Sequence, residues 1–454
     1  MAKIKSNDHI ILLGAGLVGS LLAVILAKKG FRVSIYERRP DMRKSELGGG
    51  RSINLALSDR GLKALRTAGL IDRVEELVVP MKGRMMHDTE GQLTYQPYGK
   101  EGQYINSVSR SRLNEILMDA AEEAGAKIIF DARCLDVDFE KAAVMVEEGG
   151  RPVSKEADLI IGTDGAFSAV RMAMMKTDRF NYQQHYIPHG YKELNIPANP
   201  DGSHQLETNY LHIWPRKDYM LIALPNLDGS FTCTLFFPFE GETSFASLDT
   251  PAAVRAFFEE VFPDASALMP TLEEDFFGNP TSSLVSITCQ PWQRGGKVAI
   301  MGDASHAIVP FYGQGMNSGF EDVSVFEDLL AKHEDWEQLL LEFEALRIPD
   351  AIAIRDLALQ NFIEMRDKVA DDHFLLRKKI EGRLHELYPG EWIPLYSMVT
   401  FKENLRYSEA LRTSKVQDKV MQEVMRKPNL ESDWEQLDFA AIMEDFRQQQ
   451  GSKN

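Results

Sequence analysis

The chain has 454 residues, 44% of them hydrophobic and 26% charged, enough to bury a large core and divide into two or three domains. These proportions exclude a disordered or fibrous protein, and 51 lysines and arginines against 68 aspartates and glutamates give a formal charge of −17 that disfavours a general nucleic-acid-binding surface. Cys134, Cys233 and Cys289 lie far apart, with no CxxC pair and no cysteine–histidine spacing suited to zinc. No metal site is expected, and inert thiols in a reducing cytoplasm fit best.

The uncharged run from Ile10 to Ala27 follows Lys3 and Lys5, as the core of a signal peptide would. Gly14, Gly16 and Gly19 interrupt it at fixed offsets, no small-residue cleavage pattern follows, and Lys28-Lys29-Gly30 leads into another strand-like run. Ile10 to Leu13 therefore reads as a buried strand, Leu17 to Lys29 as a helix and Phe31 to Tyr36 as a second parallel strand. Ser111 to Ala124 has helical periodicity, Lys127 to Phe130 is the next strand, and Ala157 to Gly162 is another that stops at the turn Thr163-Asp164-Gly165. From Phe180 to about Ser286, apolar stretches such as Tyr219 to Leu224 and Phe231 to Phe237 alternate with turn signals, which predicts an antiparallel sheet in a second domain. A parallel-type strand returns at Lys297 to Met301, so the first domain is discontinuous. Beyond Gly319 the chain reads as helical; the stripes Val416, Val420, Val424 and Phe439, Ile442, Met443, Phe446 are packing surfaces on either side of Pro428. No later stretch approaches a membrane-spanning length without charge and the carboxyl end is polar, so a soluble protein without a membrane anchor is expected.

Three segments carry chemistry. Gly14-Ala-Gly16-Leu-Val-Gly19 sits between strand and helix, with Glu37 ending the next strand, as in a dinucleotide fingerprint. Gly14 permits the tight turn, Gly16 lets backbone approach a pyrophosphate at the helix start, and Gly19 allows close helix–strand packing. Glu37 suits ribose hydroxyls, which favours FAD or NAD, although Arg38 and Arg39 could hold a phosphate. Gly162-Thr-Asp164-Gly165-Ala-Phe-Ser168-Ala-Val-Arg171 is by spacing alone equally an ordinary Asp-Gly turn or a site. Gly302-Asp303-Ala-Ser-His306 through Pro310-Phe-Tyr-Gly313-Gln-Gly315-Met-Asn317 runs from a strand into a helix starting near Met316, and presents N–H groups to an anion.

Together these segments resemble the single-component flavoprotein aromatic hydroxylases related to p-hydroxybenzoate hydroxylase. The resemblance implies an α/β fold (α+β overall), with a Rossmann-like FAD-binding domain made of 1–75, 100–178 and 287–335. It further implies a substrate domain with an antiparallel sheet, 76–99 and 179–286, and a helical region, 336–454. FAD would be held by Gly14, Gly16, Val18, Gly19, Glu37, Arg38, Ala56, Arg110, Leu135, Asp164, Asp303, Pro310, Gly315, Met316 and Asn317. N–H groups near Gly315 to Asn317 would stabilise the negative charge of reduced flavin. NADPH would dock transiently, without a Rossmann domain of its own, and O2 would be the second co-substrate.

Five segments, Gly83-Arg84-Met-Met-His-Asp88, Ser107 to Asn114, Pro310 to Asn317, Glu364-Met365-Arg366-Asp367 and Pro394-Leu-Tyr396 to Phe401, narrow the likeness to the branch that hydroxylates L-kynurenine. It implies conversion to 3-hydroxy-L-kynurenine through a flavin C4a-hydroperoxide. Arg84 and Tyr98 would bind the amino-acid carboxylate, Asn361 and Tyr396 would complete the pocket, and Met365 would add an apolar wall. No catalytic acid or base is assigned, because the aromatic amine already donates electron density to the ring, and His306 reads as a structural residue. A homodimer is compatible with this reading. Two departures stand out: Tyr312 occupies a position where relatives often have phenylalanine, and the hydrophobic carboxyl-terminal anchor of the eukaryotic enzymes is absent. The alternatives are a sibling hydroxylase acting on a phenol or another anthranilate-like acid, and a flavin-binding redox sensor without turnover.

Overall fold

The strand His9–Leu13 is buried at four of its five residues, as a strand covered on both faces must be. The computed structural model describes residues 3–44, 54–99, 102–367 and 372–451, the side chains of 363–367 and 372 excepted. In it His9–Leu13 lies within a six-stranded sheet of order Gln293–Arg294, Val298–Ile300, Leu159–Gly162, His9–Leu13, Arg32–Tyr36, Lys127–Ile129. All neighbours run parallel except the edge hairpin formed by the first two. The helix Leu17–Lys28 is apolar nearly all round because it is enclosed, packing near the helices Arg110–Glu123 and Gly315–Leu330. The α/β expectation holds, and helix and strand ends fall within a residue or two of those read from sequence.

The seven-stranded sheet has the order Ser282–Gln290, Asn181–Ile196, Phe231–Pro238, Tyr219–Pro225, Tyr210–Arg216, Gly83–His87, Leu93–Pro97. It differs from the sequence expectation in two ways. Its first edge strand runs past Ser286 to Gln290, and one pairing, Tyr210–Arg216 with Gly83–His87, is parallel. Parallel pairing follows from connectivity: the strand carrying Arg84 arrives from an early excursion of the chain and not through a hairpin. One face of this sheet contributes Leu194, Trp214, Leu221, Cys233, Leu235 and Phe237 to a core closed by the helices Pro251–Val261 and Leu272–Gly278. Small sheets form from Asn54–Leu57, Ile105–Ser109 and Val78–Met81, and from Arg133–Asp138, Ala143–Glu148 and Arg151–Glu156.

The stripes Val416, Val420, Val424 and Ile442, Met443, Phe446 meet each other and Leu376, Ile380, Leu384 and Trp392 in one helical core. No helix among the described residues is long and apolar enough to cross a membrane, and no group of three histidines, cysteines or carboxylates there is placed to hold a metal ion. Burial pushes the Cys134 and Cys289 thiols up to about 12, which keeps them protonated at neutral pH.

Beneath the sheet, His87 Nδ1 bonds Asp264 Oδ2 at 2.6 Å, His87 Nε2 shares a hydrogen bond with His212 Nδ1 at 2.9 Å, and His212 Nε2 reaches Glu207 O at 2.8 Å. Both acceptors at the ends are oxygens, and two N–H groups facing each other at the His87–His212 bond would set donor against donor. Burial, with His87 adding to it, holds His212 down to about 4. Its neutral form is favoured by folding, so this stability is complete above pH 6.5 and is lost as pH falls from 6.5 toward 4, about 3 kcal/mol in all. The melting temperature is expected to drop between pH 7 and pH 5, and His212→Gln to start lower but lose less over the same range. Equal slopes in the two proteins would show that another group sets the acid limit.

Candidate active site

The first glycine turn is close-packed around its backbone. Gly14 has φ +107°, and a methyl on Gly19 would lie 2.1 Å from Gly14 O and 2.5 Å from Thr163 Oγ1. A Cβ on Gly16 would meet nothing within 4 Å, so that side of the turn is open to an incoming group. Glu37 Oε2 accepts from Ala15 N at 2.9 Å, and Oε1 accepts from Arg39 N at 3.0 Å and Arg39 Nε at 2.8 Å. Burial alone would raise this carboxyl, but Arg39 outweighs it and holds it below the ordinary range, so Glu37 is an anionic acceptor.

The other two motifs converge on this turn. The missing Cβ of Gly14 would lie 2.7 Å from Thr163 O, and that of Gly302 3.0 Å from Val18. Asp164 Oδ2 accepts from Ala169 N at 2.6 Å, whereas its Oδ1 is buried without a hydrogen-bond partner. Burial raises this carboxyl. Asn114, which donates to Ala15 O at 3.1 Å, likewise leaves Oδ1 orphaned, as Ser58 does its Oγ. Buried acceptors without donors fit a cofactor that brings hydroxyls, and the open glycine turn fits its pyrophosphate, as FAD offers.

Asn317, in the first turn of Gly315–Leu330, accepts from Ser58 N at 2.9 Å and donates to Ala56 O at 2.8 Å and Gly313 O at 2.9 Å. Its side chain is thus a pin that joins Ala56 and Ser58 to the third motif. Asp303 and Pro310 are exposed, Gly315 and Met316 half-buried. Arg38, Arg110 and Leu135 lie exposed; burial raises the Glu193 carboxyl, and Arg110 offsets only part of that rise. His306 Nε2 bonds Asp322 Oδ2 at 2.6 Å, and its ring stacks on Trp292 with centroids 5.2 Å apart. It is buried between those two groups.

A second cluster forms at the edge of the seven-stranded sheet. The Arg84 guanidinium carbon lies 4.8 Å from the Tyr396 ring centroid and 5.5 Å from that of Tyr98. Tyr98 and Tyr396 stack with centroids 5.4 Å apart and planes 12° apart. Arg84 forms no ion pair among the described residues, and its Nε is buried without a hydrogen-bond partner. Burial disfavours its charge, yet the facing phenols of Tyr396, Tyr98 and Tyr312 outweigh that and raise its pKa. Burial also pushes the Tyr98 and Tyr396 hydroxyls up, so both stay O–H donors. Among the described residues the cage has no counter-anion.

Residues 8–357 match the FAD binding domain family. A kynurenine 3-monooxygenase of Christiangramia forsetii is 51% identical over 95% of this chain and 97% of its own. That of Sus scrofa is 46% identical, over 91% and 88%. The chain belongs to the kynurenine 3-monooxygenase family. Solved structures that share the fold include a tetrameric form of 2-methyl-3-hydroxypyridine-5-carboxylic acid oxygenase (TM-score 0.67, 19% identity, 80% of this chain and 94% of that one). Another is P. aeruginosa PqsL in complex with 2-aminobenzoylacetate (TM-score 0.65, 19% identity, 80% and 97%).

In this kynurenine 3-monooxygenase family member, Asn361 Nδ2 donates to Phe311 O at 2.7 Å, which ties the long helix Trp336–Asp367 to the loop before the glycines. Met365 lies on that helix, and its side chain falls outside the described residues. Sequence reasoning missed the floor of the site. Residues opposite one another in register share a sheet face, so Arg84 and Leu211 point the same way, as do Met86, Ile213, Ile222 and Thr234 along the adjoining row, and Met220 and Phe236 on the next. Tyr396 and Ile222 pack into both neighbouring apolar clusters, one containing Tyr98 and Phe401, the other Phe236, Phe311 and Tyr312. Alternation in Tyr219–Pro225 marks two faces; only the fold tells which one is covered by helices. Gly19→Ala is expected to give a folded protein that loses most of its bound FAD, because the methyl must displace Gly14 O; retention of full 450 nm absorbance per chain would contradict the close packing.

Proposed function

We propose that this chain hydroxylates L-kynurenine to 3-hydroxy-L-kynurenine, with FAD as bound cofactor and NADPH and O2 as co-substrates. The observation that carries the substrate assignment is the uncompensated Arg84 guanidinium in its tyrosine cage. A desolvated cation whose partners among the described residues are neutral phenols is costly unless an anion arrives, and an amino-acid carboxylate supplies one in the bidentate geometry that guanidinium favours.

In this reading, Arg84 and the hydroxyls of Tyr98 and Tyr396 hold the carboxylate, Asn361 fixes the loop at Phe311, and Met365 adds a wall. Leu211, Ile222, Met220 and Phe236 hold the aromatic ring on the sheet face and exclude water. FAD would be held by the glycine turn of Gly14 to Gly19 with Val18, by Glu37 and Asp164, and by the backbone around Gly315 and Met316; Arg38, Ala56, Arg110, Leu135, Asp303, Pro310 and Asn317 complete or support that site. Bound flavin supplies the reduction by NADPH and the activation of O2. The substrate's own amine directs oxygen to the ortho carbon, so the protein's task is orientation and no side chain must ionise the ring. The same reading places the FAD-binding domain at 1–75, 100–178 and 287–335, and the substrate domain at 76–99 and 179–286. It makes the enzyme cytoplasmic.

Arg84→Ala is expected to raise the KM for L-kynurenine by about thirtyfold or more while leaving flavin absorbance intact, since removing one partner of a desolvated charge pair costs roughly 2 kcal/mol or more. Steady-state NADPH consumption with product mass and peroxide assayed together checks this. An unchanged KM would remove Arg84 from the substrate site.

A further inference from the structure

Arg60 is the second residue of the helix Asp59–Thr67, an end where the helix dipole disfavours positive charge, yet only 1% of it is exposed. What its guanidinium reaches accounts for the placement. Arg60 Nε donates to Val399 O at 2.8 Å and Nη2 to Met398 O at 3.4 Å. Both carbonyls belong to the last turn of Leu395–Phe401, where a helix has no partners of its own to offer. Nη2 also donates to Leu405 O, and Nη1 pairs with Glu321 of Gly315–Leu330. The guanidinium carbon lies 4.0 Å from the Tyr407 ring centroid, and Tyr407 Oη donates to Gln314 Oε1 at 3.0 Å, at the start of that same helix. Lys63 and Arg66 reach Asn404 and Glu403 from the same helix as Arg60, but those contacts are exposed and weak.

The turn that carries Arg60 is itself fixed to Gly315–Leu330. Ser58 N donates to Asn317 Oδ1 at 2.9 Å, and a methyl on Gly61 would lie 2.5 Å from that oxygen, so this turn is seated closely on Asn317. Leu395–Phe401 has only seven residues and depends on its neighbours for its shape. Its second residue is Tyr396, whose ring centroid lies 4.8 Å from the Arg84 guanidinium carbon. We propose that Arg60 is a positioning residue for the substrate cage. By capping the far end of Leu395–Phe401 from a turn fixed to Gly315–Leu330, it sets where Tyr396 stands relative to Arg84 and to the proposed flavin site. This rests on the kynurenine reading above and adds a group that acts through Tyr396.

The test is Arg60→Lys, which keeps a charge for Glu321 but cannot also cap both carbonyls, made alone and together with Tyr396→Phe. Flavin content and melting temperature of the FAD-loaded enzymes are compared first. In steady-state NADPH consumption with L-kynurenine, Arg60→Lys is expected to lose about tenfold in kcat/KM, through KM more than kcat, with a larger share of oxygen released as peroxide. In the Tyr396→Phe background the same substitution is expected to cost no more than about threefold, because the hydroxyl it would misplace is already gone. Losses that simply multiply, or no loss from Arg60→Lys, would overturn the assignment and leave the substrate reading standing. If Arg60→Lys does not retain flavin, Arg60→Gln is taken through the same cycle; loss of flavin in both would make Arg60 a folding element and overturn the assignment. A wild-type enzyme that L-kynurenine does not stimulate would overturn the substrate reading itself, and this inference with it.

Discussion

Asp322 has no exposure to water, yet its carboxylate gathers groups from three directions. Oδ2 accepts from Gly302 N at 3.0 Å and bonds His306 Nε2 at 2.6 Å, and Oδ1 accepts from Arg347 Nε at 2.7 Å. Those donors belong to the turn after Val298–Ile300, the short helix Asp303–His306 and the long helix Trp336–Asp367. Burial alone would drive the carboxyl to its neutral form, but His306 and Arg347 outweigh it and hold it anionic. Arg347 continues the network to Glu321 and Asp350, Glu321 meets Arg60, and Arg60 Nε donates to Val399 O at 2.8 Å. The flavin-facing helix, the long helix and the segment that carries Tyr396 are therefore fixed relative to one another by one charged chain. A buried network of this kind contributes little net stability against an apolar core, but breaking it at one member leaves an uncompensated charge, at a cost of about 3 kcal/mol or more. Its value lies in specifying a single arrangement of three helices.

The sheet above that network divides the labour between its faces. One face is sealed by helices and holds Trp214, Phe237 and the His87–His212 pair; the other carries Arg84, Leu211, Ile222 and Phe236 toward the site. Because side chains alternate strictly along a strand, a slip of one residue between Gly83–His87 and Tyr210–Arg216 would move Arg84 into the sealed core and His87 into the pocket. The bonded chain from Asp264 through His87 to His212 guards that register, since only the native pairing brings the two rings and the carboxylate together. Stability on one face thus sets geometry on the other.

The glycine turn, its flanking strands and the parallel sheet could be read from the sequence because local rules determine them: an apolar run, glycines at fixed offsets and an acidic residue after the next strand. The helical stripes at Val416 and Phe439 were legible for the same reason. Arg84 and Tyr98 were visible only through resemblance, since an isolated arginine in an alternating strand looks solvated. Asp322, Arg347 and Arg60 gave no signal, because charged residues on helices are ordinarily exposed and nothing local shows that three of them meet. The parallel pairing of Gly83–His87 was hidden too: it joins segments more than a hundred residues apart, and sequence periodicity carries no information about which distant strand a segment will adjoin.

An arginine cage without an acid is a selective device as well as a binding one. Among the described residues the cage brings a guanidinium and protonated phenols but no carboxylate, so a ligand that brings no anion leaves Arg84 without a charge partner. The asymmetry matters for discrimination: a site built to hydrogen-bond a group rejects the analogue lacking it far more strongly than an apolar pocket rejects a missing methylene. Under the proposed function the sheet floor of Leu211, Ile222 and Phe236 would supply affinity for a flat ring, and Arg84 and its tyrosines the choice among rings. Tyr396 packs against Tyr312, which lies on the loop that precedes Gly315–Leu330, so the arginine cage is continuous with that loop, and under the proposed function substrate and cofactor would meet adjoining parts of one element.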